Sequence, residues 1–201
     1  MKILGITGGV GAGKSTVLDY LQNKYQARVI QADQVGHMVQ EPGQTCYKKI
    51  VEMFGSEILN EDFTINRQKL GAVVFSDPSA LQKLNQIVHP SVKEYIIGEI
   101  QKEKAEDKVP FVVLEAALLL EDHYDLICDQ IWYIYADEET RAERLKRTRG
   151  YSDEKVIGIM KNQMNDAEFR EKCDVVIDNS NQLLEHVYEQ IDQALIHHTY
   201  I

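Results

Sequence analysis

The 201-residue sequence contains few cysteines and no long uninterrupted apolar stretch. Its three cysteines, Cys46, Cys128 and Cys173, show no C-x-x-C spacing. Their odd number and wide separation favour reduced, buried thiols over a disulfide framework or a zinc site. The most apolar stretch, residues 111–120, contains Glu115 and is too short to cross a bilayer. Because no signal peptide is visible before the first strand-like run, we expect a cytoplasmic protein.

Basic charge is also scarce, because 22 Lys and Arg residues stand against 32 Asp and Glu residues, which gives a formal net charge of −10. This balance argues against a nucleic-acid or anionic-membrane partner, since such partners usually require a basic face. A polyanionic small molecule would instead need a local cluster of basic residues. With 44% hydrophobic and 27% charged residues, the composition is typical of a soluble globular protein with one sizeable core.

Residues 8–16, here named the phosphate loop, read G-G-V-G-A-G-K-S-T and match the motif G-x-x-x-x-G-K-[ST]. Glycine lets the backbone adopt positive φ and approach a polyanion closely, so that successive N–H groups can point at phosphate oxygens. Lys14 is expected to reach the β- and γ-phosphates, and the Ser15 hydroxyl is expected to bind Mg²⁺. An apolar run before the motif and helical spacing over residues 15–25 predict the strand–loop–helix order that such a loop requires.

Short apolar runs rich in β-branched residues recur along the chain, and helical patterns lie between them. This alternation predicts an α/β fold of the P-loop NTPase type, with three layers and a five-stranded parallel sheet. The predicted strands cover residues 3–7, 27–31, 111–114, 130–136 and 174–178.

One interval between these strands, residues 36–108, is too long for a simple crossover. It carries mostly helical periodicity, which predicts helices at residues 79–86 and 90–104. Pro90 suits the first position of the second helix, where its missing N–H costs nothing.

A second long interval, residues 137–166, predicts a helix–turn–helix insertion. Asp137 can cap its first helix, Gly150 can end that helix, and Ser152 can cap the next one. The first helix has a basic face that is either a solvated surface or part of a mobile lid closing over phosphates, and we favour the lid. Because Arg141, Arg144 and Arg147 are spaced i, i+3, i+6, they cannot all face one phosphate. The basic residues of this helix are Arg141, Arg144, Lys146, Arg147 and Arg149.

The phosphate loop alone does not identify the class of enzyme. A GTPase requires a base-reading N-K-x-D, and the one Asn-Lys pair, Asn23-Lys24, is not followed by that pattern. A D-x-x-G match at residues 33–36 follows the second predicted strand rather than a third. A compact kinase of small molecules is the remaining class, with positioning and electrostatics as its main catalytic means.

Such a kinase needs a group at the acceptor hydroxyl, and Asp33 is the best candidate because it lies at the end of the second strand. Ligands of open parallel sheets bind beyond the carboxyl ends of the strands, where the phosphate loop is also expected. Asp33 can equally cap a helix beginning near Gln34, and both roles can coexist. Glu115 also ends a predicted strand, either as an acid that assists Mg²⁺ or as an ordinary strand-end charge.

Motifs along nearly the whole chain resemble those of the dephospho-CoA kinase family. The most specific are the L-x-x-I-x-H-P signature at residues 84–90 and L-L-x-E at residues 118–121, which follow the phosphate loop in the family's order. Further matches are Ala32-Asp33 with His37, Arg67 with Leu70 and Phe75, and D-V-V-I-x-N at residues 174–179. Departures from the family pattern occur at Gln31, Ala117 and Thr148.

The resemblance implies Mg²⁺- and ATP-dependent phosphorylation of the ribose 3′-hydroxyl of dephospho-CoA, the final step of coenzyme A biosynthesis. ATP and dephospho-CoA are the implied small-molecule partners of a monomer or weak homo-oligomer. The implied layout is one kinase domain with a core of residues 1–35, 109–136 and 167–201, an acceptor-binding helical insertion at 36–108 and a lid at 137–166.

The resemblance also implies roles for individual residues. The implied catalytic residues are Asp33, Lys14 and Arg144, and Ser15 is the implied Mg²⁺ ligand. The implied ATP-binding residues are Gly11, Ala12, Gly13, Lys14, Ser15, Thr16, Arg147 and Asn179, with Arg149 as the alternative to Arg147. The implied acceptor-binding residues are Asp33, His37, Arg67, Lys69 and His89.

Three points stay open on the residues alone. His89 can bind the acceptor or simply fix the start of the helix that follows it. The acceptor can also be another small molecule, of the nucleoside or shikimate type. A nucleotide-dependent regulatory switch is the alternative outside the kinases, and the absent N-K-x-D and the long helical insertion speak against it.

Overall fold

A computed structural model describes residues 1–180 and 183–201 of the chain. Five strands form one sheet in the order β2-β3-β1-β4-β5. β1 pairs in parallel with β3 and β4, and β4 pairs in parallel with β5. The predicted α/β fold with a five-stranded parallel sheet is therefore confirmed. The strands are β1 Lys2–Thr7, β2 Arg28–Gln31, β3 Phe111–Glu115, β4 Gln130–Tyr135 and β5 Val175–Asp178.

The helices connect these strands and divide between two compact units of the chain. One unit comprises Met1–Ile30 and Glu106–Ile201, and the other comprises Gln31–Ala105. The α-helices are α1 Lys14–Tyr25, α2 Ala32–Met38, α3 Thr45–Phe54, α4 Arg67–Ser76, α5 Pro78–Glu106, α6 Glu138–Arg149, α7 Asp153–Lys161, α8 Asp166–Lys172 and α9 Leu184–His197. Short 3₁₀ turns cover Ser56–Ile58 and Asp125–Ile127.

The core of the first unit lies around the central strand β1. Strands of a parallel sheet are covered on both faces, and β1 is accordingly buried from Ile3 to Thr7. Trp132 on β4 is fully buried in the same core. Helix α1 packs Val17 and Leu21 into it, and α9 adds apolar residues from its own buried stripe. This packing holds the carboxyl end of β1, where the phosphate loop begins, in a fixed position.

The second unit is helical, as predicted, but its longest helix is continuous where two were expected. Helix α5 runs for 29 residues, and Pro90 lies inside it rather than at a helix start. A proline in a helix interior removes one hydrogen bond and costs about 3 kcal/mol. The Ser91 hydroxyl donates to the Ile87 carbonyl at 2.8 Å, which supplies a side-chain bond to the main chain beside the interruption. Burial of Ala80 on one side of Pro90 and Ile96 on the other favours one continuous helix.

The ends of the predicted insertion helices are confirmed. Asp137 caps α6 by accepting a hydrogen bond from the Thr140 N–H at 2.7 Å, and Gly150 ends it with φ 63°. Ser152 caps α7. A further helix, α8, follows directly and begins with a capping box formed by Asn165 and a glutamate.

All three cysteines are free thiols, and the predicted burial holds for Cys46 only. Cys128 and Cys173 are half-buried, because each lies in a segment leading into a strand and not inside one. Within the described ranges, no helix combines the length and apolar character needed to cross a membrane.

Replacing Trp132 by Ala is expected to lower the free energy of unfolding by about 3–5 kcal/mol, because loss of a fully buried indole leaves a large cavity. Urea unfolding followed by circular dichroism measures the change. Leu126→Ala is the control, since Leu126 is 78% exposed and its truncation should cost about 0.5 kcal/mol or less. Equal losses in both variants would contradict the central place of Trp132 in the core.

Candidate active site

The phosphate loop joins β1 to α1 in the predicted strand–loop–helix order. Gly8, Gly11 and Gly13 have φ values of 148°, 85° and 86°, which side chains other than glycine rarely adopt. The Ala12 N–H donates to the Gly9 carbonyl at 3.1 Å and closes the turn. The glycines therefore allow a tight loop directly in front of a helix N-terminus.

Several N–H groups of the loop are available for a ligand. Across residues 1–180 and 183–201, the main-chain N–H groups of Gly11, Gly13 and Lys14 find no protein acceptor. Unpaired donors at a helix N-terminus form an anion site, because the helix dipole adds partial positive charge there. The loop thus has the donor pattern that a phosphate chain requires.

Lys14 lies against both the loop and the end of β3. Its Nζ donates to the Gly8 carbonyl at 2.9 Å and lies 3.5 Å from Glu115 Oε1. Glu115 is the last residue of β3, as predicted, and is 8% exposed. The pair places one positive and one negative charge beside the loop, with the Ser15 side chain exposed on the next residue of α1.

Asn179 and Arg144 lie together behind the loop. Asn179 is buried, its Nδ2 donates to the Ala12 carbonyl at 2.8 Å, and its own carbonyl accepts a hydrogen bond from Arg144 Nη2 at 2.8 Å. A Cβ added to Gly13 would overlap Asn179 Nδ2, so this position has no room for a side chain. In this structure the Asn179 side chain supports the loop by donating to a main-chain carbonyl of the loop.

The basic face of α6 divides into two parts. Arg141 and Arg144 are half-buried against the loop, and Arg147 and Arg149 are exposed. Arg141 Nε donates to the Val10 carbonyl at 3.0 Å. Burial lowers the pKa of both half-buried guanidinium groups, but their ordinary pKa is so high that they stay charged at neutral pH. Two of the five basic residues thus supply the local positive charge that an acidic chain needs for a polyanion.

The second unit holds the residues expected to bind the acceptor. Asp33 is exposed in the first turn of α2, which begins at Ala32 with Gln31 as its N-cap. Asp33 therefore neither ends β2 nor caps a helix, because the chain turns into the helix directly after the strand. Its carboxylate is presented to solvent from a helical position two residues beyond the strand.

The structure brings two of the acceptor candidates into contact. Arg67 Nη1 lies 2.8 Å from His37 Nε2, and because a guanidinium can only donate, His37 accepts through Nε2. Lys69 Nζ donates to the Leu59 carbonyl at 2.7 Å. His89 is exposed near the middle of α5, so its suggested role at a helix start is wrong. It lines an open groove of 480 Å³ formed by one face of α5.

Sequence reasoning missed one residue that contacts the loop. Gln163 lies in the bend between α7 and α8, and its Oε1 accepts a hydrogen bond from the Val10 N–H at 3.2 Å. No motif marks this residue, because only the fold brings position 163 next to position 10.

No cluster of three or more His, Cys, Asp or Glu side chains suited to holding a metal ion occurs in the part of the chain that the structure describes. Mg²⁺ in kinases is usually bound by one or two protein oxygens together with substrate phosphates and water. Ser15 and Glu115 offer one hydroxyl and one carboxylate beside the loop, which matches the few protein ligands that Mg²⁺ usually takes in kinases.

The parallel sheet, the glycine loop between β1 and α1, and the lysine that begins α1 define a phosphate-loop kinase fold. Two examples among the solved structures that share it follow. One is the Thermus thermophilus protein TT1252, with a TM-score of 0.79, 28% identity and coverage of 98% of this chain and 97% of that one. The other is dephospho-CoA kinase from Campylobacter jejuni, with a TM-score of 0.72, 24% identity and 96% coverage of both chains.

Sequence comparison identifies the particular family. A sequence model of dephospho-CoA kinase matches residues 2–185. The chain is 37% identical over 193 residues to dephospho-CoA kinase of Oceanobacillus iheyensis, and the aligned residues cover 96% of each protein. The chain therefore belongs to the dephospho-CoA kinase family, as its motifs indicated, and is a kinase that takes a nucleotide co-substrate and a small-molecule acceptor.

Gly8→Ala is expected to weaken ADP binding at least about tenfold and to destabilise the fold, because a Cβ there would overlap the Ile134 carbonyl, a main-chain atom, at a φ unsuited to alanine. Calorimetry and urea unfolding measure the two effects. Gly98→Ala is the matched control: Gly98 is exposed in α5 with nothing within 4 Å of the added Cβ, and the change should stabilise by about 0.5–1 kcal/mol. Unchanged ADP binding by the Gly8 variant would contradict the role of the loop.

Proposed function

We propose that the protein transfers the γ-phosphoryl group of ATP to the ribose 3′-hydroxyl of dephospho-CoA and releases coenzyme A and ADP. The observation that carries this proposal is the family match over residues 2–185, which includes an intact phosphate loop. A bond forms between the 3′-oxygen and the γ-phosphorus, and the bond from that phosphorus to the bridging oxygen of ADP breaks. The proton of the hydroxyl passes to a carboxylate and then to solvent.

Residues of the loop hold the donor in this proposal. The N–H groups of Gly11, Gly13 and Lys14, which find no acceptor among the described residues, face the phosphate oxygens, and Ser15 lies beside them. Ala12 and Thr16 complete the ATP site by donating to the Gly9 and Gly13 carbonyls, which keeps the loop in shape. Lys14, whose Nζ lies beside the loop at the Gly8 carbonyl, stabilises the negative charge on the transferring group. Preorganised donors of this kind act without reorganisation during the reaction, which is how a kinase lowers its barrier.

Mg²⁺ enters the proposal with ATP. When bound, it neutralises charge that develops on the phosphate oxygens. The Ser15 hydroxyl is the proposed protein ligand, and the nearly buried Glu115 carboxylate is suited to hold a water molecule of the metal shell. The Lys14 contact with Glu115 links the end of β3 to the start of α1, the helix that carries Ser15.

Asp33 is the proposed group at the acceptor hydroxyl. It follows β2 by two residues, and β2 belongs to the sheet whose strand β1 leads into the phosphate loop. Ligands of such sheets bind beyond the carboxyl ends of the strands. An exposed carboxylate in that position can accept a hydrogen bond from the 3′-hydroxyl and take its proton.

The remaining residues bind the two substrates. Arg144 and Arg147 are proposed to stabilise the phosphates from residues 137–166, which act as the lid, and Asn179 keeps the ATP site in shape from behind. The proposed acceptor-binding residues of the helical unit are His37, Arg67, Lys69 and His89. The Arg67 guanidinium group, which donates to His37, supplies a positive charge suited to a phosphate of the acceptor.

We further propose that the protein works in the cytoplasm as a monomer or weak homo-oligomer. Its three free thiols suit a reducing compartment. Both substrates are small molecules, and the residues proposed to bind them all come from one chain.

An acceptor panel tests the proposal. The protein is incubated with ATP, Mg²⁺ and one of dephospho-CoA, a nucleoside or shikimate, and ADP release is followed. We expect stimulation by dephospho-CoA alone. Stimulation by another acceptor without any by dephospho-CoA would exclude the proposed substrate. Calorimetry with dephospho-CoA separates a kinase from a regulatory switch, because a switch should bind no acceptor.

Asp33→Asn is expected to lower kcat by about 100-fold or more, because an amide cannot take the proton of the hydroxyl. ADP affinity should stay within about twofold, since the phosphates are held by the loop. Steady-state kinetics and calorimetry measure the two quantities. Asp19→Asn is the matched control, because Asp19 is exposed on α1 and should leave kcat unchanged. Wild-type turnover in the Asp33 variant would remove this residue from the mechanism.

A further inference from the structure

Two side chains hold the Val10 main chain between them. Gln163 Oε1 accepts a hydrogen bond from the Val10 N–H at 3.2 Å, and Arg141 Nε donates to the Val10 carbonyl at 3.0 Å. Arg141 Nη2 also donates to the same Gln163 oxygen, which closes the arrangement. Val10, Arg141 and Gln163 are together named the Val10 clamp.

Both side chains of the clamp are fixed by further contacts with neighbouring residues. Gln163 has its own N–H bonded to the Met160 carbonyl at 3.3 Å, and the capping box of α8 begins two residues later. Arg141 lies so close to Gly9 that an added Cβ there would overlap its guanidinium group. The missing side chain at Gly9 therefore leaves space for the Arg141 guanidinium group, whose Nε donates to the Val10 carbonyl.

The geometry of the peptide group gives the clamp a consequence for the ligand. The Val10 carbonyl and the Gly11 N–H belong to one planar trans peptide, in which they point in opposite directions. Arg141 holds the carbonyl, so the Gly11 N–H is directed away from α6. Gly11 is one of the residues whose N–H finds no acceptor within the described chain.

Gln163 controls the neighbouring peptide. The Val10 N–H shares its peptide plane with the Gly9 carbonyl, which accepts the turn-closing bond from Ala12 at 3.1 Å. By accepting from both Val10 and Arg141, Gln163 Oε1 sets the rotation of this peptide and the position of the guanidinium group. Without that oxygen, a half-buried N–H and a half-buried cation would both lose a partner.

We propose that Gln163 is a positioning residue for nucleotide binding. Its side-chain oxygen orients the peptide before Val10 directly, through the Val10 N–H, and the peptide after Val10 through Arg141. As a result, the Gly11 N–H points at the phosphate chain. This inference rests on the proposed function for its ligand. It adds a requirement that the bend after α7 must lie against the loop for full nucleotide affinity. Residues 137–166 would then orient the N–H groups that bind ATP, in addition to closing over the bound nucleotide.

Three substitutions at Gln163 test the proposal. Gln163→Met keeps the length of the side chain but lacks the carbonyl oxygen, and it should raise the dissociation constant for ADP about tenfold. Gln163→Asn withdraws the oxygen by one methylene and should do the same. Gln163→Glu retains an acceptor for both Val10 and Arg141 and should bind ADP within about twofold of wild type. Lys161→Met is the control, on an exposed residue at the end of α7.

Calorimetry with ADP and Mg²⁺ on the full chain gives these constants, and thermal unfolding of the same samples reports stability. In kinetics, the methionine variant should raise KM for ATP and leave KM for dephospho-CoA within about twofold, a split that a general loss of stability would not produce. Wild-type ADP affinity in the methionine and asparagine variants would overturn the proposal. An equal loss in the glutamate variant would overturn it too, since the oxygen would then not be the cause.

The two proposals fail separately. ADP binding is measured without an acceptor, so a wild-type protein that does not phosphorylate dephospho-CoA would refute the proposed function and leave the comparison of the Gln163 variants valid. If the methionine variant does not fold, the asparagine variant decides, because it keeps a polar side chain at the same half-buried position.

Discussion

The architecture around the phosphate loop meets one requirement: the loop carbonyls accept hydrogen bonds, while the N–H groups of Gly11, Gly13 and Lys14 keep no acceptor among the described residues. Buried or half-buried carbonyls need donors, and a tight loop cannot provide enough of them itself. Here every carbonyl from Gly8 to Gly13 accepts a hydrogen bond. In chain order the donors are Lys14 Nζ, Ala12 N, Arg141 Nε, Arg144 Nη1, Asn179 Nδ2 and Thr16 N.

This requirement explains why distant segments of the chain meet at the loop. Arg141 and Arg144 come from α6, and Asn179 follows β5, so the loop is enclosed by elements that lie more than 120 residues away in sequence. The glycines serve the enclosure as well as the ligand, because side chains at Gly9 and Gly13 would overlap the donors. The positive charge of α6 thereby lies where an acidic chain needs it for a polyanionic nucleotide.

Sequence predictions that depend on neighbouring residues are confirmed, and those that depend on residues far apart in the chain are less accurate. All five strands were found because strands of a parallel sheet are buried on both faces and appear as apolar runs. The caps Asp137 and Ser152 were found because a cap depends on a few adjacent residues. Pro90 was misplaced, since burial along both halves of α5 outweighs a local preference. The prediction that Asp33 ends β2 was wrong, because α2 begins directly after the strand and no turn residue separates the two.

The amino-acid sequence was sufficient to predict the class of protein, because the glycine spacing, Lys14 and the family motifs are local patterns whose chemistry does not depend on distant residues. How the loop is held could be seen in the folded chain alone, since hydrogen bonds such as that from Val10 to Gln163 join residues with no shared pattern. The fold also pairs His37 with Arg67 and Lys14 with Glu115. A donor and an acceptor that are far apart in the chain are brought together by the fold, and neither residue type alone indicates its partner.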